Sequence, residues 1–518
     1  MVAAEQFTPA EMLLLPEPDL EFNHGQMLHD PHAGLALFGP FDSQAASHTK
    51  SIVYGVIGPS NGVEQFLKWS DLVQGGIVHR EQEPTDDARK RRADERKTYL
   101  LWPPFPGFEV AFNAIWPRRP AGRWELDRTR LIELTTHRDP NRRAYDVVGE
   151  YCACIEKARN RDESFHVLIC IIPDEVWQNC RPQSQVRDGA HGRAPSKKAL
   201  AGKRQMLSLF GPEEEYEMSV DFRRQLKARA MEFGIPIQIV RESTLRIGPG
   251  NGRSERGLTP ESDRAWNLWT TLYYKAGGKP WRLASARPGV CYVGIAFRRT
   301  DFGETARSAC CAAQMFLDSG DGVVFKGDVG KWYSRERKEF HLDRPSAKTL
   351  LSGVLKTYRD QGGQPLTEIF LHSRSSLDKE EFEGYQEACP SGVKLVGVRV
   401  RPESGVKMFR RGKWPILRGT FWRISQRSGY LWASGFKPEV LSYDGWDVPN
   451  PLRIDVQHGD SDITQVAQDI LGLTKLNYNA CKLGDSTPVT VGFSDVVGEI
   501  LISNPTVKHI SPSFKFYI

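Results

Sequence analysis

No CxxC pair occurs among the nine cysteines of this 518-residue chain, which stand scattered at Cys152, Cys154, Cys170, Cys180, Cys291, Cys310, Cys311, Cys389 and Cys481. That spacing argues against a disulfide framework and for a reducing, cytoplasmic compartment. Several of the thiols lie inside apolar runs, where a free cysteine packs as a small hydrophobe. No apolar run approaches the ~20 residues that would span a bilayer. The opening stretch has an acid at Glu5 and no basic n-region, so it does not read as a secretory signal. Large net charge is missing too: 70 basic residues face 64 acidic ones, for a net charge of +6. This balance permits a nucleic-acid partner without demanding one.

What is present fits a folded chain of two or three domains, with 40% hydrophobic and 26% charged residues. Residues 1–150 mix proline, glycine and short apolar runs and read as short strands joined by turns. The run FHVLICIIP at Phe165–Pro173 is continuous, as expected of a strand covered on both faces in a parallel sheet. After a polar loop over Arg181–Arg204, the stretch from Ser219, a plausible N-cap, to Gly234 carries Phe222, Leu226, Ala230 and Phe233 on one helical face. The strand Ile235–Val240 follows, so strand, helix and strand alternate as in a doubly wound α/β domain. A second helix runs to Gly277-Gly278. Beyond it, three strands in a meander (opened by GVCYVGIAFRRTDF at Gly289–Phe302), a helix and the strand LTEIFLH give the element order of an RNase H-like domain.

Arg223 and Lys227 stand four apart on the predicted helix and share one face. A terminal phosphate monoester, with nearly two negative charges, needs two or more cations and neutral donors. Gln238 on the following strand can supply an amide. The bland alternative is that Arg223 and Lys227 form the exposed stripe of an amphipathic helix.

Several segments in order resemble the Argonaute family, in particular its short prokaryotic branch. They are LEFNHGQMLHDPHAGLALFGP near the start, YYKAGGKPW (Tyr273–Trp281), WPILRGTFW (Trp414–Trp422), LTKLNYNACKLGDSTPVTVGFSDVVGEI (Leu473–Ile500) and the terminal FKFYI. The resemblance implies a Rossmann-like MID domain followed by an RNase H-like PIWI domain, without a PAZ domain. The implied boundaries are 1–150 for a strand-rich segment leading into MID, 151–285 for MID and 286–518 for PIWI. It further implies that Arg223, Lys227, Gln238 and Lys275 bind the 5′-phosphate of a guide strand. The Ile518 carboxylate is implied to hold Mg²⁺ at the same place, chemistry that suits hard oxygen ligands. Arg223 departs from the Tyr or His usual at its position, which leaves the first-base preference open.

Two-metal hydrolysis needs three or four carboxylates converging on two Mg²⁺ ions. Measured against active relatives, the matching positions here hold Ala296, Ser373 (in His372-Ser373-Arg374) and Asn479 (with Asn477). The expectation is therefore a binding module without catalytic residues, contacting nucleic-acid backbone through Arg298, Arg299, Arg410, Arg411, Lys413, Arg418 and Arg423. The resemblance implies a guide RNA, a single-stranded DNA target and an APAZ-domain effector partner, either a sirtuin-like or TIR NADase or a nuclease. The pair, a heterodimer able to oligomerise, would act in antiviral and anti-plasmid defence by abortive infection.

Three rival readings remain open at this point. An active guide-directed endonuclease would use displaced acids among Asp301, Asp328, Glu336, Glu339 and Asp343. A metal hydrolase would use His24, His29 and His32, although Gly25 and Pro31 break any helix that could align them. A plain nucleic-acid-binding protein would lack selectivity for a 5′ end.

Overall fold

The computed structural model describes residues 11–78, 102–182, 184, 186, 220–248, 259–299, 309–316, 322–330, 333–334, 339–360, 363–443, 445, 447–501, 503 and 511–518. Two main sheets carry the architecture. The first has four parallel strands in the spatial order Gly122–Glu125, Tyr54–Gly58, Val167–Ile172, Ile237–Arg241. Val167–Ile172 is buried at every residue, as its unbroken apolar sequence requires. Its alternate side chains feed two cores. Val167, Ile169 and Ile171 pack with Phe66 and Trp69 of the helix Ser60–Leu72 on one face. Leu168, Cys170 and Ile172 pack with Val147 and Tyr151 of the helix Pro140–Arg159, and with Leu226, on the other.

This doubly wound unit begins well before residue 151. Two of its four strands come from the first 150 residues, and position 151 itself lies inside the helix Pro140–Arg159. The strands Tyr54–Gly58 and Gly122–Glu125 from that stretch thus pair directly into this sheet, across sequence distance that local patterning does not reveal.

The second sheet has nine strands among the described residues. At one side of it Gly322–Gly330, the last strand in the described order, Ala309–Phe316 and Val290–Arg299 form an antiparallel meander. Glu368–Ser373 then pairs parallel to Val290–Arg299, and Lys394–Pro402 parallel to Glu368–Ser373. This is the RNase H-like order read from the sequence. Cys291, Val293, Ile369 and Leu371 face the helices Arg344–Asp360 and Lys379–Ala388. Tyr292, Phe370 and Val396 face the core shared with the helices Ile463–Leu473 and Val489–Leu501. The sheet continues through Leu452–His458, Ser428–Trp432 and Thr420–Arg423 to Glu11–Leu14, so residues 11–14 supply the strand at the opposite end of this sheet in the described order.

The helix Glu261–Lys275 joins the two units, ending where Gly277 takes φ +100. Trp266 and Trp269 are fully buried in the core that both sheets share. Trp281 Nε1 donates to Lys475 O at 3.0 Å, and Tyr478 Oη donates back to Trp281 O at 2.8 Å.

Candidate functional site

The helix Phe222–Ala230 starts at Asp221, whose carboxylate accepts from Arg224 N at 3.2 Å. The sequence suggested Ser219 as this cap, a residue outside the described set. After one 3₁₀ turn the segment stops at Gly234, where φ is +71. Phe222, Leu226 and Ala230 are buried against the sheet, which turns Arg223 and Lys227 toward the C-terminal end of Val167–Ile172. A cleft of about 180 Å³ opens there, lined by Ile172, Trp177, Arg181, Asp221, Arg223, Arg224, Lys227 and Glu499 among others.

Arg223 is exposed at this cleft, but Lys227 is only 3% exposed. Lys227 Nζ donates to Tyr517 O at 2.8 Å, which brings the chain's last described residues to the cluster; Ile518 is itself buried. Lys275 is wholly buried, and its Nζ donates to Ile237 O at 2.6 Å. Gln238 follows Ile237 on the same strand; its Nε2 makes a 3.3 Å contact to Ile239 O, while its buried Oε1 has no partner among the described residues.

The electrostatics follow from this geometry. Burial first, and then repulsion from Arg223 and Lys275, hold the Lys227 amine well below its ordinary pKa, with Asp221 offsetting part. Burial and Arg223 bring Lys275 down to about 7. Glu499, which also lines the cleft, is paired with Arg224 at 2.7 Å. Two buried amines, each donating to a backbone carbonyl and pressed toward the neutral form beside Arg223, make a site whose charge an oxyanion would restore.

Two further side chains at this cleft escaped the sequence reading. Trp177 lies on the short helix Asp174–Asn179, with the guanidinium of Arg181 4.2 Å and that of Arg241 4.7 Å from its ring centroid. The Trp-x-x-x-Arg spacing of Trp177 and Arg181 was the available signal.

Magnesium needs hard oxygen donors. Ile518 follows Tyr517, whose carbonyl meets Lys227, and the positive charge of Arg223 beside it opposes a dication. The residues present fit the ion only together with phosphate oxygens. Among the described residues, no group of three His, Cys, Asp or Glu side chains could hold a metal by itself.

In the second sheet, Ser373 ends its strand in register with Ile295, so Ala296 stands beside that strand end, three residues before its own strand finishes at Arg299. Ser373 is 1% exposed and its Oγ has no partner among the described residues. His372 is equally buried, its Nδ1 lies 2.9 Å from Thr490 Oγ1, and burial pushes its pKa to about 3. An imidazole held neutral in this way is a core group.

The third position differs from expectation. Asn477 bonds Asp485 at 2.6 Å and Tyr478 stacks on Tyr274 at 4.6 Å, so the LNYNA stretch belongs to the junction helix. Asn479 donates its backbone N–H to Asn477. The residue brought beside the strand end is Thr490, in the first turn of Val489–Leu501, which packs across Val290–Arg299.

Of the displaced acids, Glu339 is ion-paired with Arg399 and accepts from Ser376 Oγ at 2.8 Å. Asp343 caps the helix Arg344–Asp360 through Ser346 N at 2.8 Å. Asp301 and Glu336, and the side chain of Asp328, lie outside the described set. The three histidines each have their own partner: His24 with Gln44, His29 with Asp19, His32 with Asp30.

Among the expected backbone contacts, Arg410, Arg411 and Lys413 are exposed. Arg418 is not available to a phosphate. It is 5% exposed, with Nε on Glu17 at 2.8 Å and Nη2 on Thr474 Oγ1 at 2.7 Å. Arg423 is ion-paired with Glu11 across the strand pair that recruits the chain's start. The side chains of Arg298 and Arg299 lie outside the described set.

No family model and no curated protein sequence matches this chain. Its fold does match solved Argonaute structures. Clostridium butyricum Argonaute, bound to a guide DNA and a 19-mer target DNA, aligns over 99% of this chain and 55% of its own, with a TM-score of 0.62 and 15% identity. An Aquifex aeolicus Argonaute aligns over 97% of this chain and 57% of its own, at 0.50 and 13%. A further structure, Aa-Ago with externally bound siRNA, gives 97%, 56%, 0.53 and 13%. The chain thus spans little more than half the length of these structures and shares their α/β fold.

Proposed function

We propose that this chain is the guide-loading and target-recognising subunit of a short-Argonaute system, without cleavage activity of its own. One observation carries the reading: Lys227 and Lys275 are buried close to Arg223, their amines are held below the ordinary lysine value by burial and by that guanidinium, and Asp221 offsets only part of the effect at Lys227. A folded protein tolerates such a cluster where an anion completes it. A phosphate monoester has the charge and acceptor oxygens to do so. Gln238 would contribute its amide, and the Ile518 terminus would hold Mg²⁺ once phosphate oxygens are present.

In this reading the guide is RNA and the target single-stranded DNA, recognised as a helix through its backbone and shape. The residues at these strand positions, Ala296, Ser373 and Thr490, bring no carboxylate of their own, which supports a chain that does not perform two-metal hydrolysis. Activity would then reside in an APAZ-fused NADase or nuclease partner that target recognition switches on in the cytoplasm, with growth arrest of the invaded cell as the outcome.

The test is to extract nucleic acid from protein purified out of its host and examine the 5′ ends. Wild-type protein should carry short 5′-phosphorylated strands. Lys227→Met with Lys275→Met should lose them while keeping the wild-type circular dichroism spectrum. Equal retention of phosphorylated and hydroxyl-ended guides would overturn the pocket. Specific scission of a matched target by the isolated chain in Mn²⁺ would overturn the absence of cleavage.

A further inference from the structure

The strands Val290–Arg299, Glu368–Ser373 and Lys394–Pro402 run parallel, so their C-terminal ends share one edge of the sheet. Ser373 is in register with both Ile295 and Arg399. The chain runs on from Arg399 for three residues, roughly 10 Å of strand, and enters an irregular loop over residues 403–414. This loop therefore springs from the edge where Ala296 and Ser373 stand.

Its sequence, ESGVKMFRRGKW, carries four cations and a single acid, Glu403, whose carboxylate accepts from Gly405 N at 3.1 Å. Trp414 stacks on Phe436 at 5.0 Å, and the Arg410 guanidinium lies 5.3 Å from the same ring. Lys407 Nζ donates to Val448 O at 3.0 Å. These contacts tie the loop to the body of the protein. Phe409, between them, is 75% exposed.

One exposed apolar side chain is ordinary by itself. Here the setting decides. The buried centre of a protein–protein interface is depleted of charge, whereas this ring is flanked along the loop by Lys407, Arg410, Arg411 and Lys413. Cations interleaved with an aromatic suit a single nucleic-acid strand: the cations follow the backbone, and every base offers a π-face to the ring. Resting on the nucleic-acid reading above, we propose that Phe409 stacks on an unpaired base of the target strand, on the loop that leaves the sheet edge near Ser373.

The experiment uses guide-loaded full-length protein and a DNA target carrying 2-aminopurine at one position at a time. Phe409→Ala should weaken target binding about 5- to 100-fold and abolish a position-specific fluorescence change that wild type shows. Phe409→Trp should retain both. Guide content should be the same in all three, because the 5′ pocket lies elsewhere. Equal target affinity for wild type and Phe409→Ala would overturn the inference and leave the guide-binding reading intact. So would release of a co-purifying protein by Phe409→Ala with target affinity unchanged, which would mark a protein-docking loop. Wild-type protein that binds neither guide nor target would overturn the underlying reading, and this inference with it.

Discussion

Lys275 is an ammonium-bearing side chain without water around it, and burial together with Arg223 brings its pKa from 10.5 to about 7. Between those two values the unfolded chain holds a proton that the folded protein has released. Stability of the empty protein therefore rises with pH across that window and loses the gain as pH falls toward 7. The full slope is about 1.4 kcal/mol per pH unit for one group, so the step from pH 7 to pH 9 amounts to roughly 2 kcal/mol. Urea denaturation of guide-free protein at the two pH values should show a rise of at least this size, and Lys275→Met should reduce it by one group's share, leaving the part that the likewise depressed Lys227 contributes. An identical pH dependence in the variant would mean that the amine stays charged when buried. The converse holds for ligand: a phosphate entering the cluster restores the charged amine, so loading at pH 8 should take up protons from the buffer. Calorimetry in buffers of different ionisation enthalpy would detect that uptake. Position and residue type at this cluster were legible in the sequence, since helical spacing placed Arg223 and Lys227 on one face. The depth of burial was not, because it depends on Tyr517 arriving from 290 residues away.

At the scale of elements, the link between the chain's beginning and the second sheet is a buried ionic clasp. Glu17 accepts from Arg418 Nε at 2.8 Å and from Lys475 Nζ at 2.9 Å. Lys475 also donates to Pro18 O at 2.7 Å and His29 O at 2.8 Å. Burial alone would raise the Glu17 carboxyl, but the two cations outweigh it and hold the pKa below the ordinary value. Replacing Glu17 by Gln leaves two buried cations facing one neutral group, a change that costs about 3–5 kcal/mol. The denaturation midpoint should fall accordingly, with the slope unchanged. A loss under 1 kcal/mol would mean that water reaches the clasp. Because the Glu17 pKa is depressed, its contribution is present above the ordinary carboxylate range and fades as pH drops through the lowered value. Local pattern gave no hint of this arrangement. Arg418 stands among exposed-looking basic residues in WPILRGTFW, and only the pairing of Thr420–Arg423 with Glu11–Leu14 places it next to Glu17. The same limit applies to Thr490. The meander and the parallel strands could be read from turns and apolar runs, whereas the helix that crosses them at Val489–Leu501 meets them by tertiary packing.

For the molecule as a whole, the two sheets do not behave as beads on a string. One hydrophobic core runs from Val56 and Trp69 in the first unit through Trp269 and Trp281 to Val398 and Leu471 in the second. The candidate phosphate pocket repeats this sharing: Arg223 and Lys227 belong to the first unit, Glu499 and Tyr517 to the second. Arg224 fastens the two together, through Glu499 at 2.7 Å and through Ser503 Oγ, which donates to the Arg224 carbonyl at 3.3 Å. A ligand bound there must stabilise both units at once. With 5′-phosphorylated guide at 100 times its dissociation constant, the gain is about 2.7 kcal/mol. It should appear in calorimetry as an upward shift of one cooperative transition. Removing Tyr517 and Ile518 takes the carbonyl from Lys227 and opens the core around Phe514, so the shortened chain should lose the difference between phosphorylated and hydroxyl-ended guides. It should also separate the melting of its two halves. If guide raises only the lower of two transitions in the intact chain, the pocket belongs to one unit alone, and binding at the 5′ end has no direct mechanical route to the sheet where a target would lie.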